Sequence, residues 1–464
     1  MNLRKKYLIF IIVILLLMGS LWEEARAIMT PEEEKNLGKK ILLEMEGKVV
    51  MVKDPTLQAF INKVGYSLVA QVGASPFEYK FYLVNSTDPN AYAIPGGHVF
   101  LTTGLIVLAE NEHEVAGVLS HEISHVQGRH VAELIERSKR LNLATLAAIV
   151  AGILAGGGGK TSEAVTLTAL AAGQALTLKY TREMEVDADH NSLTYIIRAG
   201  YDPNGLISFL NKIYKISLTS GPKIPAYLST HPTTENRISL LENLLSSGQR
   251  PMGPFKEIPN FKKIKTKAFV EEREPNVAVT HFQSMIDNHP KTLEGYYGLG
   301  LAFRKMGRLD KSMESFQEAR SLNPQDPDVL RELGIVYFLS GKIDQAIEML
   351  EAGRSFSSDP DFLTLYYLGR CYQEKMELAK ALSLFLEVQK EMADFVDVYL
   401  NIGSVYGRMG QKGMSHFYYG KQFKLKGDRK NALLHFRTAL EWLERGCPER
   451  EEVQREIREL NRTK

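Results

Sequence analysis

The chain has 464 residues, more than one ordinary core accommodates, so two domains or more are expected. Its 44% hydrophobic and 24% charged residues are ordinary for a globular protein, and a net charge of +2 argues against nucleic acid or an acidic polymer as partner. Two cysteines, Cys371 and Cys447, do not make a disulfide framework or a thiolate metal site.

Residues 1–27 read as a secretory signal peptide. "MNLRKK" is basic, "YLIFIIVILLLMGSLW" is apolar, and Ala25-Arg26-Ala27 offers small residues where a signal peptidase reads. The rival is an uncleaved membrane anchor, since the apolar run is only slightly short of a span. Either reading places the rest of the chain outside the cytoplasm.

A helix is expected from Thr30 as N-cap, with Pro31 at its first position and acids in its first turn. "DPTLQAFINKVGYSLVAQ" continues at helical period, and "FEYKFYLVN" alternates like a strand. "NAYAIPGGHVFLTTGLIVL" reads as strand, turn, strand, with His98 an exposed strand residue. A long helix follows, from about Asn111 to Arg137. The small apolar run 141–159 is too short to span a bilayer comfortably and reads as a packed or surface-lying helix beside a loop, with peripheral membrane contact as the minority reading. "LTLKYTREMEVDADHNSLTYIIRAGYDP" is a further helix closed by Gly200 and Pro203, and "YLSTHPTTENRISLLENLL" has a loop that starts another. Residues 251–275 show no apolar period and read as a solvated linker.

From 276 to 445 the chain repeats. Gly300, Gly334, Gly369 and Gly403 follow at steps of 34, 35 and 34 residues. Ala278, Ser312, Ala346 and Ala381 fill a small-residue slot, and Phe282, Phe316, Leu350 and Phe385 a large one four residues later. This is the tetratricopeptide pattern of helix pairs stacked into a solenoid. Gly420 and Gly427 follow Gly403 and Gly410 by half a repeat, so one helix is missing or merged there. Residues 446–464 are a charged C-terminal tail, expected to be solvated.

The chemistry is concentrated in "LSHEISHVQGRH", residues 119–130. On a helix, residues four apart lie on one face, so His121 and His125 can present imidazoles to one ion. Glu122, one step round, reaches a water there without being a ligand. Zinc suits nitrogen and carboxylate donors and keeps a position open in catalytic sites. On a continuous helix His113 lies about 80° round from His121 and His130 about 140° round from His125, so both read as surface histidines. A third ligand is sought in "YTREMEVDADH", where Glu185 and Asp189 are four apart, but spacing alone does not choose them over Glu183 and Asp187.

"HEISH" followed by "TREMEVDAD" resembles the zinc metallopeptidase family that includes HtpX, the CAAX prenyl proteases and the periplasmic protease BepA. Its second motif, Ser/Thr-Arg-x-x-Glu-x-x-Ala-Asp, is matched by Thr181, Arg182, Glu185, Ala188 and Asp189. The resemblance implies Glu185 as third ligand and Asp189 as the residue orienting a ligand histidine. It further implies His231, of "THP", as a fourth ligand that substrate displaces, and Arg237 as an oxyanion stabiliser. The strand "GGHVFLTTG" is expected to offer a free edge with which an extended substrate pairs.

The expected fold is mainly α: a zincin-like metalloprotease domain with a small β-sheet over residues 28–250, then an α-solenoid of tetratricopeptide repeats. The expected function is a secreted endopeptidase holding one zinc ion per chain. It would cleave unfolded or misassembled envelope proteins, with the repeats binding substrate or the envelope assembly machinery. The rival is an envelope chaperone or scaffold whose metal site is structural or idle, against which Glu122 argues.

Overall fold

The computed structural model describes residues 29–137, 142–155, 179–219, 225–232, 235–247, 255, 260–358 and 360–462. The expected signal peptide lies outside them, as do 156–178 and most of 251–259. The chain divides into two compact units, Met1–Glu272 and Arg273–Lys464.

The first unit opens with α1 (Pro31–Met45), held by a full capping box in which Thr30 accepts from the Glu33 amide and Glu33 reaches back. Helix α2 (Pro55–Val69) is capped by Asp54. Strands β1 (Lys80–Val84), β2 (Ala91–Ile94) and β3 (His98–Thr102) form a sheet in the order β1-β3-β2. Strand β3 pairs with β1 in parallel, Lys80 opposite His98, and with β2 antiparallel, Ala91 opposite Leu101. The free edge expected of residues 96–104 is therefore not there: β3 is the inner strand, its hydrogen bonds used on both sides. Nor is His98 exposed; it is buried, with Nδ1 2.9 Å from the Tyr82 hydroxyl.

Short α3 (Thr103–Leu108) leads to α4 (Glu112–Gln127), capped by Asn111 and buried from Glu114 to Val126. The expected helix 111–137 is broken at Gly128 and Arg129, whose φ of 55° turns the chain, and α5 (His130–Arg137) starts anew. Helix α6 (Leu143–Ala155) packs on α1 with Leu146, Ala147, Val150 and Leu154 buried, so this part of the apolar run is core. Among the described residues no helix is long and apolar enough to cross a membrane.

Helix α7 (Arg182–Ala199) is capped by Thr181 and closed by Gly200 at φ 83°. It is followed by α8 (Asn204–Thr219), α9 (Ala226–Thr230) and α10 (Glu235–Ser247). Helix α4 packs between α7 and α8. The α4–α8 approach is close: a Cβ on Gly117 would lie 2.7 Å from the Leu206 backbone, and one on Gly205 2.3 Å from the His113 carbonyl oxygen. Gly117→Ala is thus expected to cost about 1–3 kcal/mol by overpacking, read from denaturant unfolding of the full chain. A variant as stable as the parent would contradict this packing.

The expected linker is partly core. Residues Phe261–Glu272 form α11, which packs on α3 and α2, with Phe261 against Phe60 and Lys267 bonded to Asp54 and Thr56. Its apolar positions are few and interleaved with lysines, which hid the period.

The second unit stacks α12 (Pro275–Asn288), α13 (Leu293–Lys305), α14 (Leu309–Leu322), α15 (Pro327–Leu339), α16 (Ile343–Phe356), α17 (Phe362–Glu374), α18 (Leu378–Glu391), α19 (Val396–Arg408), α20 (Lys412–Leu425), α21 (Arg429–Trp442) and α22 (Pro448–Arg462). Within each pair a glycine receives a large side chain from the next helix: Gly300 faces Phe316, Gly334 Leu350, Gly369 Phe385 and Gly403 Tyr419. Gly420 of α20 faces Phe436 in the same way, so α20 closes one pair and opens the next. The half-period step is a shared helix, not a missing one. The expected solvated tail is α22, which buries Val453 and pairs Glu452 with Lys421 and Glu456 with Lys424.

Candidate metal centre

One turn of α4 brings the Nε2 atoms of His121 and His125 to 3.0 Å of each other. The first turn of α7 supplies Glu185, whose Oε2 and Oε1 lie 3.5 Å from the Nε2 atoms of His121 and His125 respectively. The residue closing α9, His231, sets Nδ1 3.0 Å from Glu185 Oε1. All four side chains are buried and their donor atoms lie within 4.8 Å of one another. Zinc bonds of about 2.0–2.1 Å at tetrahedral angles separate donor atoms by about 3.4 Å, so these spacings suit one ion. Buried imidazole nitrogens and carboxylate oxygens turned on one point also favour a proton or a cation between them.

Glu122 lies beside the cluster, not in it. It is fully buried, with His231 Nε2 3.3 Å from Oε1 and the Ala93 backbone beside it. Burial raises its pKa, against the lowering influence of His231 and His121. Asp189, one turn beyond Glu185, sets Oδ1 3.0 Å from His121 Nδ1. Arg237 of α10 grips Asp189 with both Nε and Nη2 at 2.7 Å and also contacts Glu185 through Nη1.

Burial works against ionised Glu185 and Asp189, yet both are held below the usual carboxylate range, Glu185 by His231 and Arg237 and Asp189 chiefly by Arg237. Burial likewise opposes a charged His121, but Asp189 and Glu185 raise it to about 9. The carboxylates thus demand positive charge at this point, which a metal ion supplies as well as a proton does. His125 is pushed well below the ordinary histidine value, first by burial.

Every candidate site residue converges here: His121, Glu122, His125, Glu185, Asp189, His231 and Arg237. Helix phase separates the two acidic pairs. Glu183 and Asp187 are exposed, whereas Glu185 and Asp189 face α4. The oxyanion role expected of Arg237 does not fit, because its guanidinium is turned onto Asp189, Glu185 and the Pro232 carbonyl and is only 3% exposed.

Four contributors escaped the sequence reading. His130 was placed on the surface but is buried, with Nδ1 2.9 Å from His125 Nδ1. Tyr180 stacks on His125 at 3.7 Å between centroids, and Tyr227 on His231 at 4.7 Å. Tyr92 lies edge-on to His231 at 6.5 Å. Burial, above all, raises the pKa of all three phenols, which stay protonated. Tyr227 had a readable signal, the helical spacing of four from His231; Tyr180 directly precedes the N-cap of α7.

Residues 53–245 match Peptidase family M48, residues 300–341 a TPR repeat and residues 396–429 a tetratricopeptide repeat. The chain is 32% identical to the beta-barrel assembly-enhancing protease of Yersinia pestis, over 49% of this chain and 47% of the relative. It is 30% identical to that of Escherichia coli (strain K12), over 47% and 45%. Identity to the mitochondrial metalloendopeptidase OMA1 of Schizosaccharomyces pombe is 27%, over 46% and 59%. The matches with the two bacterial relatives span about half the length of each.

Proposed function

We propose that this chain, which joins a Peptidase family M48 domain to C-terminal tetratricopeptide repeats, is a zinc-dependent endopeptidase of the bacterial envelope. The observation that carries the reading is the buried convergence of His121, His125, Glu185 and His231 beside a buried carboxylate, Glu122, that stands outside the donor cluster. His121 and His125 through Nε2, and Glu185 through its carboxylate, would hold the ion; His231 Nδ1 would fill a fourth position until substrate takes its place. When bound, zinc supplies Lewis acidity to a carbonyl and acidifies water.

The chain's own residues do the rest. Glu122 takes a proton from the attacking water and hands it to the leaving amine. Asp189 holds the His121 ring, and Arg237 holds Asp189 and Glu185 together against their mutual repulsion. The repeats bind substrate or a partner protein, and the substrates are unfolded or misassembled envelope proteins. Relatives named for enhancing β-barrel assembly support that class.

The test is metal content and casein cleavage by the purified full chain. About one zinc per chain is expected, with cleavage falling more than about 100-fold after chelation and returning when zinc is restored. Cleavage that survives complete removal of metal would refute the reading.

A further inference from the structure

A helix five residues past His125 would carry its side chain about 140° away, which is why His130 reads as a surface residue. The chain does otherwise. The Gly128 amide closes α4 on the Ser124 carbonyl, Arg129 turns left-handed at φ 55°, and α5 begins at His130, folding the ring back onto His125. A left-handed non-glycine residue costs about 1 kcal/mol or more, so something must hold it. The Arg129 Nε donates to buried Glu34 at 2.8 Å. Gly128 makes the room: a Cβ there would lie 2.5 Å from His130 Nε2.

The result is a line of hydrogen-bonding groups leading away from the centre. His125 Nε2 faces His121 and Glu185, and His125 Nδ1 lies 2.9 Å from His130 Nδ1. His130 Nε2 in turn is 3.4 Å from Asp187 Oδ2. A neutral imidazole that offers Nε2 to an ion carries its proton on Nδ1. That proton is then donated to His130 Nδ1, which places the His130 proton on Nε2, towards Asp187. His121 meets the same need directly through Asp189. Among the described residues, the group behind His125 Nδ1 is not a carboxylate but His130.

We propose that His130 is a positioning residue of the metal centre, holding His125 in the tautomer and ring orientation that present Nε2 to the ion, with Asp187 fixing His130 from behind. This deepens the metal-centre reading and rests on it. The turn at Gly128–Arg129 is then part of the site.

The test measures zinc dissociation constants by chelator competition on the full chain, alongside melting of the metal-free protein. His130→Ala is expected to weaken zinc binding about 10–100-fold. His130→Asn, whose amide oxygen can accept from Nδ1, should recover most of that affinity. Gly128→Ala, which pushes the ring, should weaken zinc in the parent but add little to His130→Ala. The proposal is overturned if His130→Ala binds zinc like the parent. It is also overturned if the alanine and asparagine variants lose affinity equally in step with metal-free stability, or if Gly128→Ala is fully additive with His130→Ala. A parent chain that takes up no zinc overturns the metal reading itself, and this proposal with it.

Discussion

Glu122→Gln is expected to lower proteolysis about 100–10,000-fold while the protein keeps its metal. The substitution preserves shape and removes only the ability to accept a proton. Glu122 stands outside the donor cluster, so zinc content and affinity should change little. The carboxylate is fully buried, and burial raises its pKa, so the folded state bears a cost for its charge. The amide relieves that cost, and the variant should melt at or above the parent temperature. Loss of activity joined to retained zinc and undiminished stability would mark a residue kept for chemistry. Casein cleavage within about tenfold of the parent would remove Glu122 as general base and leave the enzyme reading without its proton acceptor.

The second large effect is on stability. Arg237→Ala strips two buried carboxylates, Asp189 and Glu185, of their shared guanidinium. Breaking a buried ion pair from one side typically costs about 3–5 kcal/mol, since the remaining charge is left uncompensated. In a unit of this size that is a fall of about 6–20 °C in the melting transition of the metal-free protein. Zinc should restore part of the loss, because its charge replaces what the arginine supplied. Both carboxylates are held below the usual range in the folded state. Their contribution is therefore present above that range and lost as pH falls through the depressed values. The gap between variant and parent should be widest near neutrality and shrink in acid. A variant that melts with the parent at pH 7, with or without metal, would show that the guanidinium does not neutralise this pair. Arg237→Lys keeps the charge but not the fork, and should fall between the two.

Much of this molecule could be read along the chain. Two histidines one turn apart, an acid between them, and a second acidic helix are matters of helical period, and period is a local property. The repeat spacing was equally legible, because each glycine and aromatic pair recurs within one helical hairpin. The cap at Thr30 and the stop at Gly200 followed from the conformational and hydrogen-bonding habits of those residues. The few apolar positions of α11 were less legible, since Phe261, Ala268 and Val270 are spaced among lysines whose stems pack and whose ends reach partners.

What the sequence by itself determined was which residues carry charge and metal-binding capacity, and the helical faces on which they sit. Tertiary structure alone decided which of them meet. It placed β3 inside the sheet, because strand order depends on pairings between distant segments. It turned Arg237 onto Asp189 and Glu185, because two buried carboxylates draw the nearest cation whatever its position along the chain. It folded His130 back onto His125, because a single left-handed residue redirects everything that follows, and a period counted along one helix ends where that helix does.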